Sequence, residues 1–445
     1  MLKNFRLIFL SLGMLFFACS KTEPIETSID SNPNINFVKT LGGSLNELAK
    51  SIIKTNDGGY AILGHVQSSN GDVSNKPDTS FDYWILKYNE THTLQWQFSY
   101  GGSEDDRGID IIQTNDNGYA VIGYSKSNNR DVTENNGAND FWVCKLDEAG
   151  HILWEKSFGY LGADIGNAII QTEDNGFLIT GVLDVSASNG QGNSKVSSAK
   201  RHAGGDYWAI KLDATGNKQW SKFYGGTFTD TPNDIIQTND NGYLLIGASD
   251  SDDVDVNNNK GSYDFWVVKI SSFGTLLWEK SFGGSQIDEA HAICKTNDGN
   301  YFIVGDTRSN DFDVTNNNGS ADLWLIKISP DGDLIWEQNY GGSSFDVGRS
   351  ISRTEDNGFI ISGSSRSLDG DLEENKGQND AWLLKIDSEG RLLWQKTIGG
   401  SNIDFAYDAI ELKNKSIISI GESSSIDGDI ETNKGFSDLL IFSLK

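Results

Sequence analysis

Two series of acidic residues recur through the 445-residue chain, and they are the side chains best placed to do chemistry. Glu47, Asp106, Asp164, Asp230, Asp288, Asp346 and Asp404 each follow a short glycine-rich turn. Asp82, Asp140, Asp206, Asp264, Asp322, Asp380 and Asp438 each stand two residues before a tryptophan, or before Leu440 in the last copy. The first series is expected to ring one face of the molecule and to offer a negative contact surface to a basic partner. The second has a plainer role open to it, accepting backbone N–H groups from the loop before it.

A third acidic feature lies between them in the repeat. Asp369-Gly370-Asp371 with Asn375, and Asp427-Gly428-Asp429 with Asn433, alternate oxygen-bearing side chains around a glycine. Calcium takes six to eight hard oxygens, so Asp369, Asp371, Asn375 and Asp380, with Asp427, Asp429, Asn433 and Asp438, form the expected metal set. The spacing is not that of an EF-hand, and solvated turns are the other reading. The five histidines fall at unequal positions, and no nucleophile–base pair, zinc spacing or phosphate-cradling loop is present. The expectation is therefore a chain that is not an enzyme and needs no organic cofactor.

The spacing of these acids reflects a repeat. Trp84, Trp142, Trp208, Trp266, Trp324 and Trp382 step by 58, 66, 58, 58 and 58 residues, and Trp96, Trp154, Trp220, Trp278, Trp336 and Trp394 follow the same steps. Each unit has four strand-like runs separated by turn signals; in the second they are 108–114, 119–124, 140–146 and 152–158. Asn115-Asp116-Asn117-Gly118 marks a tight hairpin whose glycine is expected to take a positive φ. Apolar residues on both parities of the middle strands require both sheet faces to be covered. The chain starts out of phase, with Phe37–Ser44 matching the end of a unit, and stops after the third strand of the seventh copy. The expected fold is thus all-β, a seven-bladed β-propeller of four-stranded antiparallel blades over residues 35–445, closed by the N-terminal strand. An eight-residue, Ser/Gly/Lys-rich insertion in 186–203 of the third copy reads as a loop.

A net charge of −27 argues against nucleic acid and anionic membrane surfaces as partners. Residues 1–18 read as a signal peptide with an apolar run too short to span a bilayer, and 19–34 as a polar tether. Cys144 and Cys294 sit in apolar stretches and read as small core residues, so burial rather than disulfides must hold the domain together.

Three resemblances add to this reading. Leu15, Ala18, Cys19 and Ser20 resemble the lipidation site of bacterial lipoproteins, which implies lipid on Cys19 and an outer-membrane location, periplasmic or surface-exposed. Lys385–Trp394 resembles the tryptophan-docking repeat of pyrroloquinoline-quinone propellers, which implies blade-to-blade locking but carries over no quinone ligand. The whole unit is similar to repeat lipoproteins and secreted propellers of Bacteroidota-type bacteria. The resemblances add little about function; with the acidic face as contact surface, the expected protein is a monomeric, non-catalytic binding scaffold whose partner is a protein or polysaccharide of the cell envelope. A glycan-binding module and a quinoprotein-like oxidoreductase are the alternatives.

Overall fold

A computed structural model describes residues 32–193 and 202–445. Cys19, the signal peptide, most of the tether, and Lys195, Lys200 and Arg201 of the insertion lie outside the described residues.

Seven four-stranded antiparallel sheets follow one another along the chain, each a simple meander. The first blade comprises Glu47–Lys54, Tyr60–Val66, Asp82–Tyr88 and Leu94–Tyr100, and the next five repeat it. In the seventh, Asp404–Glu411, Ile417–Ser423 and Asp438–Leu444 are completed by Ile35–Leu41 from the other end of the chain. Thr40 stands opposite Leu440 there, and Asn34 and Lys445 exchange both backbone hydrogen bonds. The first strand of every blade contacts the first strands of both neighbouring blades, so these strands form a closed inner ring.

Burial explains the closure. The middle strands are buried over nearly their whole length, and their apolar side chains form seven clusters, each shared by two consecutive blades. The cluster joining Ile410, Ile418 and Ile441 to Ile52, Ile62 and Trp84 links the last blade to the first. No blade could bury both faces alone. The first tryptophan of each unit is at most 1 % exposed. The second docks on the next blade: a Cβ on Gly390, whose φ is +79°, would come within 2.6 Å of Trp336. Gly150, Gly216, Gly274 and Gly332 meet Trp96, Trp154, Trp220 and Trp278 in the same way.

Two local expectations change. The first strand of the second blade begins at Asp106, not residue 108, because Asp106 already pairs with Ser125. In the hairpin Asp116-Asn117-Gly118 it is Asn117 that takes the positive φ, at 66°. Gly118 is needed for space, since a Cβ there would lie 2.2 Å from the Leu146 carbonyl oxygen. The seventh copy keeps the same turn with Lys415 at φ 70°.

Candidate functional site in the central channel

All seven acids that follow the glycine turns are completely buried, which corrects the expectation of an open acidic rim. Asp288 shows why. Its Oδ2 accepts the Gly284 N–H at 2.7 Å and the Ser309 hydroxyl at 2.8 Å, while Oδ1 accepts the Thr307 hydroxyl. Glu47 likewise takes the N–H groups of Gly43 and Ser68. These carboxylates fasten the link between blades to the second strand, and a basic partner cannot reach them. Burial pushes Asp288 above the ordinary carboxylate range.

The loop carboxylates are also committed to backbone. Asp369 accepts Ser343 N–H at 2.7 Å, Asp371 accepts Gly341 N–H at 2.9 Å, Asp427 accepts Ser401 N–H at 2.7 Å and Asp429 accepts Gly399 N–H at 3.1 Å. Asn375 and Asn433 each donate to a strand carbonyl and accept from Gly377 or Gly435. The set is a clamp of Asx type on the blade entry, and a calcium ion there would have to displace these amide donors. The grouping also changes: Asp380 faces Asp404 and Asp429 of the following repeat, and Asp438 faces Glu47 across the closure.

Five of the acids two residues before the tryptophan position accept a loop N–H, as Asp264 does from Lys260 at 2.9 Å, while Asp82 pairs with the Lys76 ammonium and Asp206 with the His202 ring. Their other oxygen is buried without a hydrogen-bond partner in all seven copies. Each therefore lies beside the next blade's turn acid across a glycine; a Cβ on Gly283 would come within 2.6 Å of Asp288 Oδ2 and 2.7 Å of Asp264 Oδ1. Burial, with Asp288 close by, raises Asp264 to about 7.

A different set of residues is brought together on the axis. In every inner strand the pairing skips one residue, three positions after the buried acid. Such a bulge turns one extra side chain away from the ladder. The seven bulged residues are Lys50, Ile109, Asn167, Asn233, His291, Arg349 and Tyr407, and all line one cavity of about 390 Å³ in the central channel. Behind them Asp110, Asp234 and Asp408 tie blades together: Asp110 accepts from Ser51 of the first blade and Ile169 of the third. Burial raises these three carboxyls to about 6, 7 and 6.

One side of the channel mouth is cationic and aromatic. Lys50 Nζ lies 3.8 Å from the centre of the Tyr407 ring, and the Tyr407 hydroxyl donates to Glu422 at 2.6 Å. Burial lowers Lys50 to about 8, with Arg349 and Arg107 adding to the effect and Glu422 opposing it. His65 is driven to about 3 by burial and by Arg107 and Lys50. Across from this arc, Asn167 and Asn233 donate to backbone carbonyls of the following blades. A Lys–Tyr–Glu relay beside a histidine can bind a polar ligand through both donors and acceptors. Among the described residues, one group of three potential metal ligands also lies here: Glu289, His291 and Asp306.

Sequence reasoning missed this channel because it followed the positions that stay the same in every copy. The signal lay in the opposite property. Three residues after each invariant acid the copies read Lys, Ile, Asn, Asn, His, Arg and Tyr, while the scaffold on either side repeats.

No family model matches the chain. Over 407 residues it is 22 % identical to the regulatory protein FlaEY of Caulobacter vibrioides, an alignment covering 82 % of this chain and 41 % of that protein's length. Among solved structures, it resembles a protein of unknown function from Bacteroides caccae with a TM-score of 0.41 and 12 % identity, over 72 % of this chain and 94 % of the other. It also resembles a gluconolactonase from Xanthomonas campestris, with a TM-score of 0.36 and 10 % identity, over 75 % and 92 % of the two chains. These likenesses concern the fold. The expectation of a chain that is not an enzyme is corrected on the last of them: an enzyme stands among the solved proteins of similar fold, and lack of a familiar motif does not exclude catalysis.

Proposed function

We propose that this chain is a binding propeller of the bacterial cell envelope, held at the outer membrane by lipid on Cys19, which takes its ligand at the mouth of the central channel. The kinship with Bacteroidota-type repeat lipoproteins belongs to the same reading. The ligand is a partner protein or a polysaccharide carrying groups that suit Lys50, Arg349 and Tyr407. Nucleic acid does not suit a chain of net charge −27. One observation carries the proposal: the bulged positions differ from blade to blade while the residues that build the blades repeat. Scaffold alone would not require six residue types at seven equivalent positions. The exposed rings of Phe228, Phe312 and Phe436, on loops of the acid-bearing end, favour the polysaccharide form of the reading.

The test is capture from intact cell envelopes by the wild-type chain and by a Lys50→Ala/Tyr407→Ala variant of equal melting temperature. A bound species retained by the first and lost by the second supports the channel. Equal capture by both would remove the channel from the proposal.

A further inference from the structure

We infer that the fifth blade carries a site for a divalent transition-metal ion, formed by Glu289, His291 and Asp306 on the wall of the central channel. This goes beyond the ligand-binding proposal and does not depend on it.

The register of the blade makes the first part of the case. Glu289 on the inner strand stands directly opposite Asp306 on the second. Like charges so placed destabilise a sheet unless a cation lies between them. None of the other six blades opposes two acids here; their pairs run from Leu48 with His65 to Phe405 with Glu422. His291 is the bulged residue of the same strand, and its Nε2 lies 2.9 Å from Asp306 Oδ1. One donor atom from each of the three residues lies within 4.8 Å of the others. Two donors about 2.1 Å from one ion lie about 3.0 Å apart at right angles and about 3.4 Å apart in tetrahedral geometry, so Mn²⁺ fits the 2.9 Å separation directly and Zn²⁺ after a shift of about half an ångström.

Hydrogen bonding makes the second part. The same His291 Nε2 is 3.1 Å from Arg349 Nη1. An imidazole nitrogen either donates or accepts. If Nε2 carries a proton it suits Asp306 and opposes the guanidinium; if it carries a lone pair it suits Arg349 and opposes the carboxylate. One contact is unfavourable in either tautomer. An ion bound to the lone pair and shared with both carboxylates removes the conflict. Arg349, an exposed side chain from the sixth blade, is the cation that now faces the cluster, and it is free to swing aside. Imidazole with two carboxylates suits Zn²⁺ or Mn²⁺ and not Ca²⁺, which takes oxygen ligands. Because His291 lines the cavity, further coordination positions open into the channel.

The full mature chain, stripped with chelator, is titrated with Zn²⁺, Mn²⁺ and Ca²⁺ by calorimetry, and retained metal is counted after desalting. The expected result is one Zn²⁺ per chain, with Ca²⁺ giving no heat that His291→Ala abolishes. His291→Ala and Glu289→Gln should each weaken Zn²⁺ at least tenfold, and Arg349→Met should tighten it several-fold by removing the competing cation. Glu289→Gln alters a half-buried side chain, so it keeps the test in force if His291→Ala does not fold. No uptake of either Zn²⁺ or Mn²⁺, equal affinity in wild type and both ligand variants, or weaker binding by Arg349→Met would each overturn the site.

Discussion

Replacing Asp264 by asparagine should stabilise the protein, and more at pH 8 than at pH 5. The Asp264 carboxyl has no access to solvent, one oxygen without a partner, and Asp288 beside it. Its value of about 7 lies above the ordinary 3.8. The folded state thus holds a proton that the unfolded state has released between about pH 4 and pH 7, and stability falls as pH rises through that window. At 1.36 kcal/mol per unit, the ionised carboxyl costs up to about 4 kcal/mol above pH 7 and about 2 kcal/mol at pH 5. Asparagine keeps the acceptor for Lys260 N–H and presents an N–H₂ group to Asp288, so about half of that cost should be recovered. With roughly 400 ordered residues, 1 kcal/mol moves the melting temperature by about 1 °C. Asp264→Asn is therefore expected to melt roughly 2 °C higher than wild type at pH 8 and within about 1 °C of it at pH 5. Differential scanning calorimetry at the two pH values measures this. A variant less stable than wild type at pH 8, or a difference independent of pH, would refute the argument that Asp264 and Asp288 form a strained buried pair.

Other outcomes follow from the same contacts. Wild-type melting temperature should fall between pH 5 and pH 8, since Asp206, Asp264 and Asp322 are each raised by burial to about 7; a rise over that range would contradict it. Asp106→Lys, which an exposed rim would tolerate, should instead cost at least about 3 kcal/mol in urea unfolding, because it buries a charge among the Gly102 N–H and the Ser125 and Ser127 hydroxyls. Gly390→Ala should cost about 1–3 kcal/mol through its positive φ and its contact with Trp336, whereas Gly299→Ala, with no atom within 4 Å of an added Cβ, should lose only the φ-related part. Deleting residues 32–41 removes the strand paired with Asp438–Leu444 and should give a chain that associates, read by light scattering.

The architecture was legible because each repeat states its own needs. Two tryptophans, an Asp-Asn-Gly hairpin and apolar residues on both strand parities leave little choice but radially packed sheets, and Phe37–Ser44 out of phase names the closing strand. The acids were legible as positions but not as roles. A carboxylate repeated in every copy reads equally as a ligand or as a clamp, and only burial and partners such as Gly284 and Ser309 show that Asp288 is a clamp. Which repeat supplies each partner was also hidden, because Asp380 meets Asp404 across a blade boundary that periodicity leaves unassigned. The channel escaped notice because a bulge has no strong sequence signature. Nothing in His-Ala-Ile or Tyr-Asp-Ala announces that His291 and Tyr407 leave the ladder.

Hydrogen–deuterium exchange with and without the captured envelope ligand tests the channel most directly. Protection should appear at the bulges of the first, sixth and seventh blades, around Lys50, Arg349 and Tyr407, with the loops at Asp369–Asn375 and Asp427–Asn433 unchanged. Protection confined to those loops, with the three bulges unaffected, would contradict a ligand seated on the axis.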